Sequence, residues 1–405
     1  MSRPGPRRRS RGVALAAVLA LAASTTACLE EGSTSTVTLI ETTATGTPLP
    51  VPTESPTGEE SSDADRGDGR GGKGEGGKSG PPELVGTIAT DLEAPWGLAF
   101  LPDGDALVTE RDTARLLRLT GPDHEVVEVA TIETAAPEGE GGLLGVAVSP
   151  TYDEDGLVYL YVTTATDNRV VRAVLDGDSL GEPEPILTGI PNGFIHDGGQ
   201  LTFGADGLLY VSTGEIGEPD RAADPDDLGG KILRITPDGE PAPGNPDPGS
   251  PVFSLGHRNV QGLAFGRNQL WASEFGQDTF DELNLVRPGK DYGWPAFEGE
   301  GGQAARKQGY VDPAITWETD KASPSGLAYA KGHLWLGALK GERLWRVEVK
   351  GSKKAREPEA FFLGDHGRLR GVALAPDGTL WVTTSNRDGR GTPAPGDDKI
   401  LQVQP

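Results

Sequence analysis

The sequence predicts an all-β fold, a six-bladed β-propeller that follows a disordered N-terminal tether. Three observations lead there. A strand–turn–strand phrase recurs six times from residue 83 onward. Each copy is followed by a further strand-like run. The first strands of successive copies end about 45–64 residues apart, a period that belongs to repeated three- or four-stranded blades.

The N-terminus precedes these repeats and reads differently. Residues 3–11 carry Arg3, Arg7, Arg8, Arg9 and Arg11, and an apolar run from Val13 to Ala23 follows. That run is too short to span a bilayer. A basic start, a short apolar core and small residues describe an export signal over residues 1–28. The chain's one cysteine, Cys28, falls after Thr25-Thr26-Ala27, where such a signal is cut. This end resembles a bacterial lipobox, with Thr25 where the pattern prefers leucine, and it makes Cys28 the expected lipidation site. The chain is therefore expected to be exported and lipid-anchored on the outer face of the cell membrane, or else secreted. Residues 29–82 run through Ser/Thr-rich, acidic and Gly-rich stretches without apolar periodicity. They cannot bury a core and read as a flexible tether.

The propeller region, residues 83–405, repeats WGLAFLPDGDALVTE from Trp96, LLGVAVSPTYDEDGLVYLYVTT from Leu143, GGQLTFGADGLLYVSTGE from Gly198, QGLAFGRNQLWASEFG from Gln261, SGLAYAKGHLWLGALKG from Ser325 and RGVALAPDGTLWVTTS from Arg370. Each is an apolar strand, a turn often built on Asp-Gly, and a second strand alternating apolar with small or polar residues, which is a hairpin pattern. The third runs are RLLRL, NRVVRAVL, GKILRI, DELNLV, ERLWRVEV and DKILQV. A ring must close, so residues 84–89 are expected to pair near Ile400–Val403 and remove an exposed edge.

Composition limits the function classes. The 405 residues carry a net charge of −24, which argues against a protein that tracks nucleic-acid phosphates. One cysteine excludes an intrachain disulfide and a thiolate metal cluster, and the five histidines are too dispersed for a zinc motif.

The chemistry concentrates in loops between or at the ends of repeats. Residues 256–295 bring together Arg258 and Asn259, a loop from Gly276 through Gln277 to Phe280, the paired carboxylates Asp281 and Glu282, and the turn Asp291-Tyr292-Gly293-Trp294-Pro295. Cations, loop carbonyls and carboxylates so close in sequence suit an anionic cofactor held with a hard metal ion. Glu140, His196, Lys340, Arg368 and Arg370 occupy comparable places in other repeats. Four cations in loops of an acidic protein suit a ligand bearing several carboxylates.

GHRNVQG, then SEFGQDTFDELNLV and DYGWP, occur in that order and are supported by GLLG, HDGG, LKG and RLRGVALAPDG. By these motifs residues 83–405 resemble the soluble quinoprotein glucose/sorbosone dehydrogenases, particularly the bacterial aldose sugar dehydrogenases. The resemblance implies a six-bladed propeller that uses pyrroloquinoline quinone (PQQ) and calcium to oxidise aldose sugars at the anomeric carbon. It implies that His196 is the base while hydride passes to the quinone, and that Arg258 and Asn259 contact the quinone oxygens. It assigns Lys340, Arg368 and Arg370 to the cofactor's carboxylates. Gly276 and Gln277 would offer backbone carbonyls to calcium; Asp281 and Glu282, with the Tyr292 backbone, would form a further calcium site. Glu140 departs from the pattern, which often has glutamine there near cofactor or substrate. His257 is a weaker candidate for ligand contact. The expected partners are an aldose and an unidentified electron acceptor, with no nucleic acid and with the membrane reached only through the lipid. A metal-dependent lactonase on a similar propeller, or a non-catalytic sugar-binding propeller, are the alternatives.

Overall fold

The computed structural model describes residues 80–350 and 354–405. The expectations for the export signal, Cys28 and most of the tether lie outside the described residues. The last expected tether residues do not: the carbonyl of Gly80 accepts a hydrogen bond from Arg346 Nη1 at 2.6 Å.

Six antiparallel sheets follow one another along the chain. Blade 1 comprises Pro95–Phe100, Ala106–Glu110, Arg115–Thr120 and Glu125–Thr131. Blade 2 comprises Leu143–Val148, Leu157–Thr163, Asn168–Asp176 and Glu184–Ile190, with Ser179–Leu180 added at one end. Blade 3 is Leu201–Phe203, Leu209–Ser212, Ile232–Ile235 and Val252–Ser254. Blade 4 is Val260–Gly266, Gln269–Glu274, Phe280–Val286 and Ile315–Glu318. Blade 5 is Pro324–Ala330, His333–Ala338, Arg343–Lys350 and Glu359–Phe361, with Lys354–Ala355 paired beside it. Blade 6 takes Leu369–Leu374, Leu380–Thr384 and Ile400–Gln404, and its fourth strand is Glu83–Ala89 from the start of the domain. The pairing of Leu84 with Val403 and of Ala89 with Ile400 closes the ring as expected.

The turns repeat their chemistry. Asp103, Asp206 and Asp377 each accept the backbone N–H two residues ahead, from Asp105, Leu208 and Thr379. Gly104, Gly207 and Gly378 then take the left-handed conformation such turns require.

The centre of the ring is held by contacts the repeats share. A Cβ on Gly97 would lie 2.7 Å from Leu144 O of blade 2, one on Gly262 2.3 Å from Ser325 O of blade 5, and one on Gly326 2.7 Å from Arg370 O of blade 6. Glycine alone lets neighbouring first strands approach so closely. Hydroxyls on the second strands complete the join. Thr109 Oγ1 accepts from Gly97 N at 2.8 Å and donates to Leu144 O of the next blade. Ser212 Oγ accepts from Gln200 N and donates to Val260 O, both at 2.9 Å. Ser273 Oγ donates to Ser325 O at 2.6 Å.

Between blades, apolar side chains from both facing sheets fill the gap. Trp96, Leu144, Tyr159, Tyr161 and Leu233 share one cluster, and Trp271, Leu327, Leu336 and Trp345 another. Strands buried on both faces explain why the first strands of the repeats read as apolar runs.

Ring closure gives the first prediction. A chain starting at Thr90 rather than Gly80 leaves Ile400–Gln404 as an open edge. Its melting temperature should fall by roughly 10 °C or more, with aggregation on heating, measured by calorimetry and light scattering. Equal melting temperatures would show that closure does not depend on this strand.

Candidate active site

One face of the ring gathers the polar residues: the face where first strands begin and second strands end. Glu140 lies just ahead of Leu143–Val148, His196 ahead of Leu201–Phe203, and Arg258 and Asn259 ahead of Val260–Gly266. Arg368 and Arg370 flank the start of Leu369–Leu374, and Lys340 follows His333–Ala338. In five blades the first strand starts with a register shift beside its glycine, at Pro95/Leu98, Leu143/Val146, Val260/Gly262, Pro324/Leu327 and Leu369/Val372. Such bulges re-aim the side chains next to them.

His196 is buried and held at two points, its backbone N–H and its ring. Its backbone adopts φ 63°, a conformation costly for a residue with a Cβ. Its N–H donates to Glu140 Oε2 at 2.9 Å. Its Nδ1 lies 2.6 Å from Glu215 Oε1, and Glu215 is 1% exposed. A carboxylate against Nδ1 places the proton there and leaves Nε2 as an acceptor. Glu215 N in turn donates to Arg258 O at 3.0 Å. Behind this strand Lys231 is fully buried, donating to the carbonyls of Arg221, Ala222 and Gly229 at 2.7, 3.1 and 2.7 Å. Burial pulls its ammonium down to about 8.

A hydrogen-bonded chain crosses the ring and brings the expected residues together. Arg370 Nη1 donates to Gln261 Oε1 at 3.1 Å and lies 3.4 Å from Ser325 Oγ, and its Nε donates to Ser385 Oγ at 3.2 Å. Gln261 Nε2 lies 3.4 Å from Asn259 Oδ1, which accepts from Gly198 N at 3.1 Å. Asn259 Nδ2 lies 3.4 Å from Glu140 Oε2. Burial lowers Arg370 to about 10.

The cations are not equivalent. Arg368 donates through Nε and Nη2 to Asp388 Oδ2 at 3.1 and 2.8 Å, and Arg370 stands 3.8 Å from the same oxygen. Two guanidinium groups on one carboxylate leave a surplus positive charge. Arg258 makes no ion pair among the described residues. It lies over the Trp294 ring at 5.5 Å, donates to Phe275 O at 3.2 Å, and its buried Nε has no partner. Burial, the dominant influence, lowers its pKa. Lys340 is exposed and makes no ion pair among the described residues. An orphaned guanidinium donor, an unpaired ammonium and a surplus charge fit an anion with several carboxylates.

The expected metal ligands divide into two groups. Neighbouring residues of one strand point to opposite faces, so Asp281 and Glu282 separate. Asp281 joins the Gly276 loop: Oδ1 accepts from Gly276 N at 2.9 Å and Oδ2 from Ser323 N at 2.6 Å. Burial pushes it up to about 6. Glu282 faces Glu274, its cross-strand partner. Its Oε1 accepts from Gly299 N at 2.7 Å, and Asn284 Nδ2 donates to both acids, at 2.9 Å to Glu282 and 2.5 Å to Glu274. Burial, then the charge of Glu274, raises Glu282 well above the carboxylate range. Asn284 Oδ1 is buried without a donor. Strand alternation thus takes Asp281 out of the expected set of Asp281, Glu282 and Tyr292, whereas Glu282 and Tyr292 line one small cavity with Glu274 and Gly276. Gln277 gives its backbone N–H to Glu298 Oε1 at 2.7 Å, an oxygen that also accepts from Asp278, Thr279 and Phe280. No three His, Cys, Asp or Glu side chains converge as a metal site among the described residues. The crowded acids Glu274 and Glu282 and the orphaned amide oxygen nevertheless suit a hard cation.

His257 is structural. It is fully buried between Ser254 Oγ at 2.9 Å and Glu274 Oε1 at 3.0 Å, and stacks on Tyr292 at 4.6 Å. Sequence reasoning missed Glu215, Gln261, Asp388 and Arg390. Glu215 had a signal: Glu110, Glu215 and Glu274 each end or follow a second strand, in VTE, STGE and ASE.

Asp197 gives a pH prediction. Its Oδ1 accepts from Asn168 Nδ2 at 2.9 Å and Gly193 N at 3.1 Å, while buried Oδ2 has no partner. Burial raises it from 3.8 to about 7. The folded chain thus holds this proton more tightly than the unfolded one. The stability gained is fully present below about pH 4 and lost as pH rises through about 7. Asp197→Asn should make the fall of melting temperature between about pH 5 and 8 shallower. An unchanged slope by calorimetry would contradict this.

The family model described as Glucose / Sorbosone dehydrogenase matches residues 92–393. The PQQ-bound form of an aldose sugar dehydrogenase from Streptomyces coelicolor is 52% identical, with a TM-score of 0.77 over 80% of this chain and 98% of that one. The aldose sugar dehydrogenase YliI of Escherichia coli K12 is 28% identical over 79% of this chain and 92% of its own length. An uncharacterized Synechocystis protein is 33% identical over 76% of this chain and 86% of its own. With its six closed blades and the match over residues 92–393, this chain belongs to the glucose/sorbosone dehydrogenase family.

Proposed function

We propose that this chain oxidises aldose sugars at the anomeric carbon, with PQQ as electron-accepting cofactor, calcium as its companion ion and His196 as base. The observation that carries the reading is the 2.6 Å contact of His196 Nδ1 with Glu215, beside a set of incompletely neutralised cations. The names of the relatives, one of them a PQQ-bound structure, support the sugar and the cofactor.

The roles follow from the side chains. His196 Nε2 takes the proton of the anomeric hydroxyl, and Glu215 stabilises the imidazolium that forms. PQQ, when bound, supplies the hydride-accepting chemistry. Arg258 and Asn259 would face its quinone oxygens, and fixed positive charge there favours the reduced group. Lys340, Arg368 and Arg370 would hold its carboxylates, with Asp388 fixing the last two. The Gly276–Gln277 carbonyls would hold calcium, and the Glu274–Glu282–Asn284 cluster a further ion. A metal-dependent lactonase would need carboxylates around an axial metal, whereas Arg370, Gln261 and Asn259 occupy the crossing network here. The N-terminal signal and Cys28 support export with a lipid anchor; mass spectrometry of the mature protein finding an unmodified N-terminus elsewhere would reject it.

Apoprotein given PQQ and calcium should reduce an artificial acceptor with aldoses. His196→Ala should lower kcat roughly 100-fold or more with little change in PQQ affinity. Saturating calcium should raise the melting temperature. No sugar-dependent reduction across a broad aldose panel, with PQQ shown bound by absorbance, would reject the reading. Full activity in His196→Ala would reject the base, and an unchanged melting temperature in both apo and PQQ-loaded protein would reject calcium.

A further inference from the structure

Glu140 creates an electrostatic conflict in a site that takes an anion. Its side chain is 14% exposed and belongs to the network that holds His196 and Asn259. Burial disfavours its charge, but the His196 N–H and the Arg390 guanidinium outweigh burial and hold its pKa below the usual range. An ionised carboxylate there, left alone, repels a ligand carrying several carboxylates.

The counter-charge comes from the other end of the chain. Arg390 Nη1 donates to Glu140 Oε1 at 2.8 Å. Arg390 sits in the loop after the second strand of blade 6, and Glu140 ahead of blade 2, so the ion pair joins the connections of the two blades that flank blade 1. The loop is anchored inside the site: Arg390 N donates to Asp388 Oδ1 at 2.9 Å, and Asp388 Oδ2 holds Arg368. Arg390 has no other ion-pair partner among the described residues.

We infer that Arg390 is a positioning residue of the cofactor site: its guanidinium neutralises Glu140, so that an acid can hold the His196 backbone without repelling an anionic cofactor. Arg390 acts through Glu140 and need not touch the cofactor. This assigns a partner to Glu140, and it rests on the PQQ reading above.

The test is a double-mutant cycle read by binding. PQQ is titrated, with calcium present, into apoprotein of the wild type, Arg390→Gln, Glu140→Gln and the double variant, following absorbance and tryptophan fluorescence. Melting temperatures of the apoproteins report folding. In the Glu140 background, Arg390→Gln should weaken PQQ binding about tenfold, and less so at high salt. In the Glu140→Gln background the same change should cost less than about twofold. Arg390→Met, which keeps the aliphatic stem, supplies the same cycle if the glutamine variant does not fold. Unchanged affinity in Arg390→Gln, or an equal loss in both backgrounds, overturns the inference while leaving the PQQ reading intact. No PQQ binding by the wild type removes that reading, and the inference with it.

Discussion

Glycine against carbonyl, at the point where neighbouring first strands meet, is the contact on which the molecule depends. Gly97, Gly262 and Gly326 stand where any Cβ would overlap the next blade's backbone. The close approach lets one hydroxyl from a second strand reach both its own blade and the next, as Thr109 and Ser212 do. Bonding of this kind satisfies backbone groups that a curved, bulged strand start would otherwise strand in a dry interior. It also sets the width of the centre, and so decides which side chains can meet across it.

The site is a consequence of that geometry. Strand starts from blades 4 and 6 come near enough for Gln261 to meet both Arg370 and Asn259. The blade 1–2 connection delivers Glu140 to the His196 backbone. Most polar side chains on this face have a close partner: Arg368 with Asp388, Glu140 with Arg390, His196 with Glu215. Arg258 and Lys340 stand apart, and they give the face its capacity for an anion in a chain of net charge −24. The acids pushed upward by burial, Asp197 and Asp281, mark where the fold tolerates cost around the site.

Much of this was legible because the fold repeats. Asp-Gly turns, paired apolar runs and the closing strand Glu83–Ala89 all carry local signals, and local signals survive in sequence. The positions of His196, Arg258, Asn259, Lys340, Arg368 and Arg370 were legible through the order of their motifs. Their bonding was not. Asp388 lies 20 residues from Arg368, across one hairpin, and Arg390 lies 250 from Glu140; the second pair exists only once the ring has closed. The resemblance put Asp281 and Glu282 in one metal site, yet adjacency on a strand separates side chains. The glycine of each phrase was visible in every copy, but its role was not, because the backbone it meets belongs to the next blade.

Crystals of the protein soaked with PQQ and calcium would show where the cofactor binds. Electron density for it is expected on the face where first strands begin, within hydrogen-bond distance of Arg258, Asn259 and Lys340, with His196 Nε2 facing open space above it. Cofactor density elsewhere, such as at the opposite mouth lined by Phe100, Phe203 and Phe265, would contradict this placement.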